Sequence, residues 1–364
     1  MKIIDLTTHL ESIAPLALQE SYDNSGLICG NPEAEIKSAL ITLDCTEEVV
    51  DEAIAQGSGL IVAHHPIVFS GLKKINGKNY VERVIIKAIK NDIALYAAHT
   101  NMDNVATGVN ARIADKIGLV NARILAPKEG LFRKLVTFCP TDQAENLRNA
   151  LFSAGAGVIG NYSSCSFNSE GRGTFQANAG AEPFVGDIGK LHVEEETRVE
   201  TIYPTYRERG ILKVLKETHP YEEPAYDVFP LLNSFKQIGS GMIGELPEPR
   251  EALGFLKELK QLMQTDCIRY TKPSTREVQR IAVCGGSGSF LLRDAIAAGA
   301  DVFVTSDFKY HQFFDAENKL VIADIGHYES EQFTKQLFYD ILTKKFPIFA
   351  VHLSKIDTNP INYI

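Results

Sequence analysis

The chain has 364 residues, of which 45% are hydrophobic and 23% are charged, values typical of a folded globular protein. One hydrophobic core rarely keeps growing to this chain length, so we expect two domains. The formal net charge is −9, from 37 basic and 46 acidic residues without long basic runs. That balance argues against nucleic acid or an anionic membrane as the main partner.

Neither end of the chain nor its interior suggests a membrane or export signal. Asp5, His9 and Glu11 lie where a secretory signal would need an apolar stretch. The longest uncharged stretch, residues 149–169, is rich in Gly, Ser and Asn, whereas a spanning helix needs about 20 mainly apolar residues. The six cysteines form no CxxC pair and mostly lie in apolar runs, as reduced core thiols do. We therefore expect a cytoplasmic protein.

Two similar β-α-β patterns occupy the two ends of the chain, and both favour an α/β fold. Their segments lie, in chain order, at residues 38–45, 46–57, 60–66, 280–286, 289–299 and 300–307. Each strand is a continuous apolar run, as expected for parallel strands covered by helices on both faces. Further apolar runs end at His99 and His327. Right-handed crossovers would bring all these strand ends to one edge of a sheet, where α/β proteins bind ligands.

The middle of the chain, from about Phe132 to Phe229, has a different pattern. Its predicted strands are residues 133–140, 157–167, 198–206 and 225–231, and its predicted helices are residues 145–155 and 209–219. Two split β-α-β units are typical of a ferredoxin-like α+β domain. Glycine and proline at residues 127–130 and 239–241 indicate boundaries. We predict a discontinuous core of residues 1–128 and 239–364, interrupted by an inserted domain of residues 129–238.

Metal-competent side chains concentrate where the predicted core strands end. His64 and His65 are adjacent in a strand, so their side chains point to opposite faces, and one ion would have difficulty binding both. Two metal ions resolve this difficulty. Pro66 should end the strand and leave both imidazoles in the crevice. The alternative is one packed and one exposed histidine.

Three further residues complete the predicted metal site. His327 and Glu331 are four residues apart and share one helix face, and Gly326 permits a sharp turn into that helix. Asp103 supplies a second carboxylate. Three histidines and two carboxylates suit zinc, iron or manganese, with zinc as the leading candidate, rather than magnesium or calcium. We predict two divalent ions held by His64, His65, Asp103, His327 and Glu331.

Other polar residues near the strand ends could assist the metal site. His99, Asp307 and His311 could orient metal-bound imidazoles or transfer protons, with His99 and His311 as the catalytic candidates. They could equally be ordinary polar strand-end residues. The glycine run at residues 284–289 could bind an anion through its amides or form a simple tight turn. Two divalent ions bound by only two carboxylates give the site a net positive charge, which would attract a small anionic or nucleotide-like ligand.

These motifs together resemble the GTP cyclohydrolase I type 2, or NIF-three-like, family. The matching segments are HHP at 64–66, HTNMD at 99–103, CGGSGS at 284–289, TSDFKYH at 305–311 and GHYESE at 326–331. Residues 22–30 are similar to the family's WDNxGL segment, with Tyr22 where tryptophan is common. The resemblance implies a di-metal centre on the five predicted ligands, with Glu331 bridging the ions. It also implies a homohexameric toroid of two stacked trimers and a PII-like or CutA-like insert that forms trimers.

Three functions remain open. The leading hypothesis is a metal-dependent hydrolase of a nucleotide or phosphorylated substrate, with GTP ring opening as the named candidate. A metal-dependent phosphoesterase is the second, since two ions suit phosphoryl displacement equally well. The third is a non-enzymatic metal-handling or regulatory protein, motivated by His219, Tyr221, Glu222 and Glu223 between a helix and a strand. A capping turn is the alternative interpretation of that segment.

Overall fold

The computed structural model describes residues 1–273 and 275–364, which form a mixed α/β fold divided into two compact units. The first unit comprises Met1–Pro127 and Lys236–Ile364, and the second comprises Lys128–Phe235. The described helices are α1 (Ile3–Ile13), α2 (Glu47–Gln56), α3 (Tyr80–Lys90), α4 (Thr100–Asp103), α5 (Val109–Ile117), α6 (Ala144–Ser153), α7 (Glu208–Thr218), α8 (Ala252–Leu262), α9 (Leu292–Ala297), α10 (His327–Glu331) and α11 (Thr334–Lys345). None of them is long and apolar enough to cross a bilayer.

Strands make up three sheets, two in the first unit and one in the second. The described strands are β1 (Gly26–Cys29), β2 (Ser38–Thr42), β3 (Leu60–Ala63), β4 (Ala94–Ala97), β5 (Val120–Lys128), β6 (Phe132–Pro140), β7 (Ser166–Gln176), β8 (Leu191–Pro204), β9 (Tyr226–Leu231), β10 (Phe235–Glu251), β11 (Arg269–Tyr270), β12 (Glu277–Ser287), β13 (Val302–Ser306), β14 (Val321–Asp324) and β15 (Ala350–Leu353).

The first sheet has the order β1-β4-β3-β2-β15. All its neighbouring strands are parallel except β1, which runs antiparallel to β4 at the edge. Every residue of β2, β3 and β4 is buried, as the continuous apolar runs predict. Thr42 pairs with Ala63, and Ala63 with Ala97, so the carboxyl ends of these three strands are level.

Helix α2 connects β2 to β3 and shows why the predicted helix forms. The Thr46 hydroxyl accepts a hydrogen bond from the Val49 amide and caps the amino terminus, where Glu47 and Glu48 favour the helix dipole. The helix ends at Gly57, which has a φ of +67°. Its buried face packs on the first sheet.

The second sheet has the order β11-β14-β13-β12-β10-β5. Strands β12, β13 and β14 are parallel, and Thr305 of β13 pairs with Asp324 of β14. The expectation of one shared sheet edge is therefore wrong: the two β-α-β halves build separate sheets. Local hydrophobic patterning identifies parallel strands but does not specify which strands pair.

The second unit is a four-stranded sheet of order β7-β8-β6-β9, in which every neighbouring pair is antiparallel. Helices α6 and α7 cover its buried face through Leu147, Leu151, Ile211 and Leu215. The predicted strand at residues 157–167 is wrong, because the strand runs over Ser166–Gln176. Strand β8 likewise begins at Leu191 rather than at residue 198.

Cross-strand pairing explains this error. The pairs run from Ser166 and Thr201 to Gln176 and Leu191. The ladder hydrogen bonds of this long hairpin order a Gly-rich, acidic stretch whose composition favours loops.

Candidate metal centre

The five predicted ligands come together at the carboxyl ends of parallel strands in the first unit. His64 and His65 directly follow β3, Asp103 ends α4 just after β4, and His327 and Glu331 begin and end α10 after β14. Ligand atoms lie within 4.8 Å of one another in the group of His64, Asp103 and Glu331, and also in that of His65, His327 and Glu331. Each group could hold a metal ion, and Glu331 belongs to both. His64, His65 and His99 form a third such group, so the expectation that one ion would have difficulty binding both adjacent histidines is wrong. The reason is that β3 ends at Ala63, so the alternation of side chains along a strand does not apply to His64 and His65.

His64 is fully buried and presents one ring nitrogen to the carboxylates. Its Nδ1–H donates to the Ala98 carbonyl oxygen at 2.9 Å, which leaves Nε2 with a lone pair. Nε2 lies 3.7 Å from Asp103 Oδ1 and 3.7 Å from Glu331 Oε1. Within the described residues, His64 Nε2 and Asp103 Oδ1 are buried without a hydrogen-bond partner. Unsatisfied buried acceptors are costly, and a cation between them would satisfy both. The donor set therefore fits a divalent metal.

In His65 and His327, the ring nitrogen that faces away from Glu331 is hydrogen-bonded to a carboxylate. Nδ1 of His65 bonds Asp44 Oδ1 at 2.7 Å, and Nδ1 of His327 bonds Asp307 Oδ2 at 2.6 Å. The Nε2 atoms lie 3.0 Å and 3.2 Å from Glu331 Oε2. Metal-binding histidines are commonly oriented by such carboxylates.

The charge of Glu331 influences the pKa of each of its neighbours His65, His327 and Asp103. Burial lowers the pKa of His65, but its bonds to Asp44 and Glu331 outweigh burial and raise that pKa to about 10. Burial likewise opposes protonation of His327, yet Glu331 and Asp307 raise its pKa to about 11. Burial, with the charge of Glu331, raises the pKa of Asp103 to about 7. Divalent cations can take the place of the shared protons, since metal ligation requires neutral imidazole and ionised carboxylate.

A cavity of about 480 Å³ lies over the ligands and is large enough for a small molecule. Tyr22 and Phe69 form part of its wall, with their rings stacked at 6.2 Å and inclined by 30°. Phe290 and Tyr328 also line it.

Residues 284–287 of the glycine run also line this cavity, and the amides of Gly285 and Gly286 are hydrogen-bonded to other protein groups. The Gly285 amide donates to Asn110 Oδ1, and the Gly286 amide donates to Ser330 Oγ. A Cβ at Gly286 would lie 2.5 Å from Glu331 Oε1. Residues 284–287 are the irregular end of strand β12, with a register shift between Val283 and Ser287, and Gly286 lets Glu331 approach the backbone there.

The three predicted supporting residues have different positions. His99 lines the cavity, with Nδ1 bonded to Asp23 Oδ1 at 2.8 Å and its ring 5.2 Å from that of His64. Asp307 orients His327, as described. His311 is exposed on a 3-10 helix, Tyr310–Ala316, where its ring contacts Tyr310 and Phe314. It does not line this cavity.

Two supporting carboxylates, Asp44 and Asp23, were missed by the sequence reasoning. Asp44 lies two residues beyond β2, so the strand-end rule that identified His64 could have identified it too. Asp23 bonds His99 and also accepts hydrogen bonds from the Thr100 amide at 3.0 Å and the Thr100 hydroxyl at 2.5 Å. Burial raises the pKa of Asp23, but these bonds outweigh it and hold the pKa well below the usual range.

The segment around His219 in the second unit is a capping turn. His219 Nε2 donates to the Phe138 carbonyl oxygen at 2.8 Å, and Nδ1 accepts a hydrogen bond from the Tyr221 amide at 3.1 Å. Both ring nitrogens are therefore engaged with the backbone.

The fold and the site together define a mixed α/β protein whose histidine and carboxylate clusters could bind metal. A family model described as Duf34/NIF3 (NGG1p interacting factor 3) matches residues 1–360, and the chain belongs to this family. The resemblance inferred from the motifs is confirmed.

Curated relatives and solved structures agree with this assignment. The chain is 40% identical over 360 residues to a "GTP cyclohydrolase 1 type 2 homolog" of Halalkalibacterium halodurans, covering 97% of this chain and 96% of that protein. It is 37% identical over 360 residues, with the same coverage, to the protein of that name from Bacillus subtilis. Among solved structures, a Bacillus cereus protein related to NIF3 is 39% identical with a TM-score of 0.85, covering 100% of this chain and 99% of that chain.

Proposed function

We propose that the chain binds two divalent ions at His64, His65, Asp103, His327 and Glu331, with zinc as the leading candidate metal. We propose further that it hydrolyses a nucleotide or phosphorylated substrate. The observation that carries this proposal is the sharing of Glu331 between two ligand groups, beside the unpaired buried atoms of His64 and Asp103. Ring opening of GTP is the first candidate reaction, because the curated relatives carry the cyclohydrolase name.

Each part of the site then has a role in the proposed reaction. Divalent ions bound there would supply Lewis acidity and activate water near neutral pH. Asp23 holds Nδ1 of His99, so Nε2 of His99 is left to carry a proton to or from the substrate. Tyr22 and Phe69 offer an aromatic wall on which a flat base can stack. His311 ranks behind His99 because it is exposed outside the cavity.

The test combines metal content with product analysis. We expect Glu331→Gln to lose bound metal and to release no formate from GTP, because the shared ligand no longer carries a charge. Glu317→Gln changes a carboxylate on the surface, outside the cavity, and serves as the matched control. Unchanged metal content and unchanged formate release in Glu331→Gln would sink the assignment.

A metal-dependent phosphoesterase is the second candidate. The same pair of ligand groups is suited to in-line displacement at phosphorus. Inorganic phosphate released without formate would select this reaction. Rapid metal exchange without turnover of any substrate would instead favour the metal-handling or regulatory alternative.

We also propose a homohexamer of two stacked trimers, with the second unit as a ferredoxin-like domain of the PII or CutA type. The family assignment and the strand order β7-β8-β6-β9 support this. Analytical ultracentrifugation should find six chains per particle, and a monomer at micromolar concentration would contradict the proposal.

A further inference from the structure

The second unit contains a cavity of its own, with a volume of about 620 Å³. It is lined by residues of the paired strands β7 and β8, of the segment that joins them and of the segment that follows α7. None of its lining residues belongs to the metal site, and the proposed hydrolase reaction does not use it.

Three aromatic residues, Phe175, Phe184 and Tyr221, form an aromatic wall of this cavity. The ring of Tyr221 lies 5.8 Å from that of Phe175 and 6.4 Å from that of Phe184. The inclinations are 57° and 51°, so both phenylalanine rings contact Tyr221 in a tilted arrangement instead of stacking on it. Aromatic faces carry partial negative charge and attract cations within about 6 Å of the ring centre.

A buried carboxylate lies beside this wall. Glu196 is 8% exposed, and its Oε1 accepts a hydrogen bond from the Tyr221 hydroxyl at 2.8 Å. A Cβ at position 173 would lie 2.0 Å from Glu196 Oε2, so the glycine found there makes room for the carboxylate. The carboxylate is therefore fixed against the aromatic wall.

The charge of the lining favours a positively charged ligand. Four glutamates line the cavity: Glu170, Glu196, Glu222 and Glu223. Arg172 and Arg198 also line it, but they pair with Glu195 at 3.5 Å and with Glu200 at 2.8 Å. Those two partners lie outside the lining, so each guanidinium is paired with a carboxylate other than the four that line the cavity.

We propose that this cavity binds a small organic cation of the quaternary ammonium or protonated amine type. The cationic head lies against the rings of Phe175, Phe184 and Tyr221, next to the Glu196 carboxylate. An anionic or nucleotide ligand does not fit, because the lining has twice as many carboxylates as guanidinium groups. This site is independent of the metal centre.

Choline is a suitable probe, because its neutral carbon analogue 3,3-dimethyl-1-butanol has the same shape. We expect saturable choline binding to the full chain by saturation-transfer NMR, and binding of the neutral alcohol at least about tenfold weaker. Equal binding of the two compounds, or no binding of choline, would overturn the proposal.

Two variants locate the binding site. Glu196→Gln removes the buried charge, and Phe184→Leu replaces one ring by an aliphatic side chain. We expect each to weaken choline binding, Glu196→Gln by about tenfold and Phe184→Leu by about threefold. Glu145→Gln, on the exposed face of α6, should bind choline as the unchanged chain does.

The variants also guard against a folding artefact. Phe184 is 53% exposed, so its replacement leaves the core intact and decides the outcome even if Glu196→Gln does not fold. Circular dichroism checks each variant. Undiminished choline binding in Phe184→Leu would place the ligand elsewhere and refute this assignment.

Discussion

Asp44 links the metal site to the end of the chain. Its Oδ1 bonds His65 Nδ1 at 2.7 Å, and its Oδ2 accepts a hydrogen bond from the Thr358 hydroxyl at 2.8 Å. The carboxylate is thus fixed on both oxygens, and it fixes the imidazole plane of His65. Asp44 is a positioning residue, because it acts on the proposed ligand His65 and does not itself belong to either ligand group.

Replacing this carboxylate should weaken metal binding without removing a ligand. We expect Asp44→Asn to lower zinc affinity by about 10-fold to 100-fold, since the amide keeps the shape but loses the charge that orients and polarises the imidazole. Competition with a chromogenic chelator measures the affinity. Asp51→Asn, which changes an exposed residue of α2 paired with Lys87, is the control. Equal zinc affinity in Asp44→Asn and Asp51→Asn would contradict the positioning role.

His219 should make the stability of the second unit depend on pH. Burial lowers its pKa from 6.5, although the bond to the Phe138 carbonyl opposes this shift. Below pH 6.5 the unfolded chain therefore binds a proton that the folded unit resists, so stability falls as pH decreases toward the lowered pKa. We expect urea midpoints to drop between pH 7.5 and 5.5, and to drop less in His219→Gln. An identical pH dependence in both proteins would show that His219 is not responsible.

At the residue scale, the sequence identified the candidate ligands better than the residues that hold them in place. His64, His65 and His327 were visible because they lie at the ends of apolar runs, and Glu331 because it is four residues beyond His327. That these residues lie close together was harder to predict, since His65 and Glu331 are 266 residues apart in sequence. Asp44 carried the same strand-end signal and was overlooked. His311 carried a similar signal, but the 3-10 helix that follows β13 leaves it exposed.

Helix α10 depends on the turn that precedes it. Gly326 has a φ of +94°, a conformation that L-residues with a side chain rarely adopt. A Cβ there would also lie 2.2 Å from Glu329 Oε2, a buried carboxylate that accepts a hydrogen bond from Asn359. This turn sets the direction of the helix whose two ends are His327 and Glu331.

Gly326→Ala should therefore cost more than an ordinary glycine replacement. Gly57 also has a positive φ, of +67°, but it lies in the left-handed helical region and a Cβ there meets nothing within 4 Å. Gly57→Ala therefore measures the cost of that milder conformation without a collision, whereas Gly326, at φ +94° and ψ +147°, has both a rarer conformation and a collision. We expect about 1 kcal/mol of destabilisation for Gly57→Ala and at least about 2 kcal/mol for Gly326→Ala, by urea unfolding. Zinc content should fall only in Gly326→Ala. Equal destabilisation by both changes would show that neither the rarer backbone conformation at Gly326 nor the collision with Glu329 adds a cost.

Helices and strands with strong local sequence signals were predicted well, whereas strands that form only by pairing with a distant strand were not. Helix α2 has its cap, its buried stripe and its terminal glycine in the sequence, and it lies where predicted. Strand β7 has few β-forming residues, and its partner β8 supplies the hydrogen bonds that order it. Window-based reasoning cannot detect that contribution.

At the scale of the whole molecule, the two halves of the first unit place their strand ends around one site. The first sheet supplies His64, His65 and, through the helix after β4, Asp103; the second supplies His327 and Glu331 through the helix after β14. Each sheet has its own buried cluster. The ligands therefore depend on the packing of two sheets encoded at opposite ends of the chain.

The second unit supplies none of these ligands, so its removal should leave the metal centre intact. Strands β5 and β10, which lead into and out of it, are neighbours in the second sheet. A Cβ at Gly239 would lie 2.7 Å from the Pro127 Cα, so the two strands are in close contact beside the junction. Since Gly239 lies beside Pro127, Asn-Gly in place of residues 128–235 would form, together with residues 236–238, a five-residue hairpin loop between the two strands.

We expect this shortened chain to fold and to bind as much zinc per chain as the full protein. Inductively coupled plasma mass spectrometry measures the zinc content. Its own His64→Ala variant should lose zinc, which separates specific from adventitious binding. If circular dichroism shows that the shortened chain is folded but it contains no zinc, the second unit is needed to complete the site. Equal zinc content would instead show that the two sheets of the first unit are sufficient, because their strand ends alone bring the five ligands together.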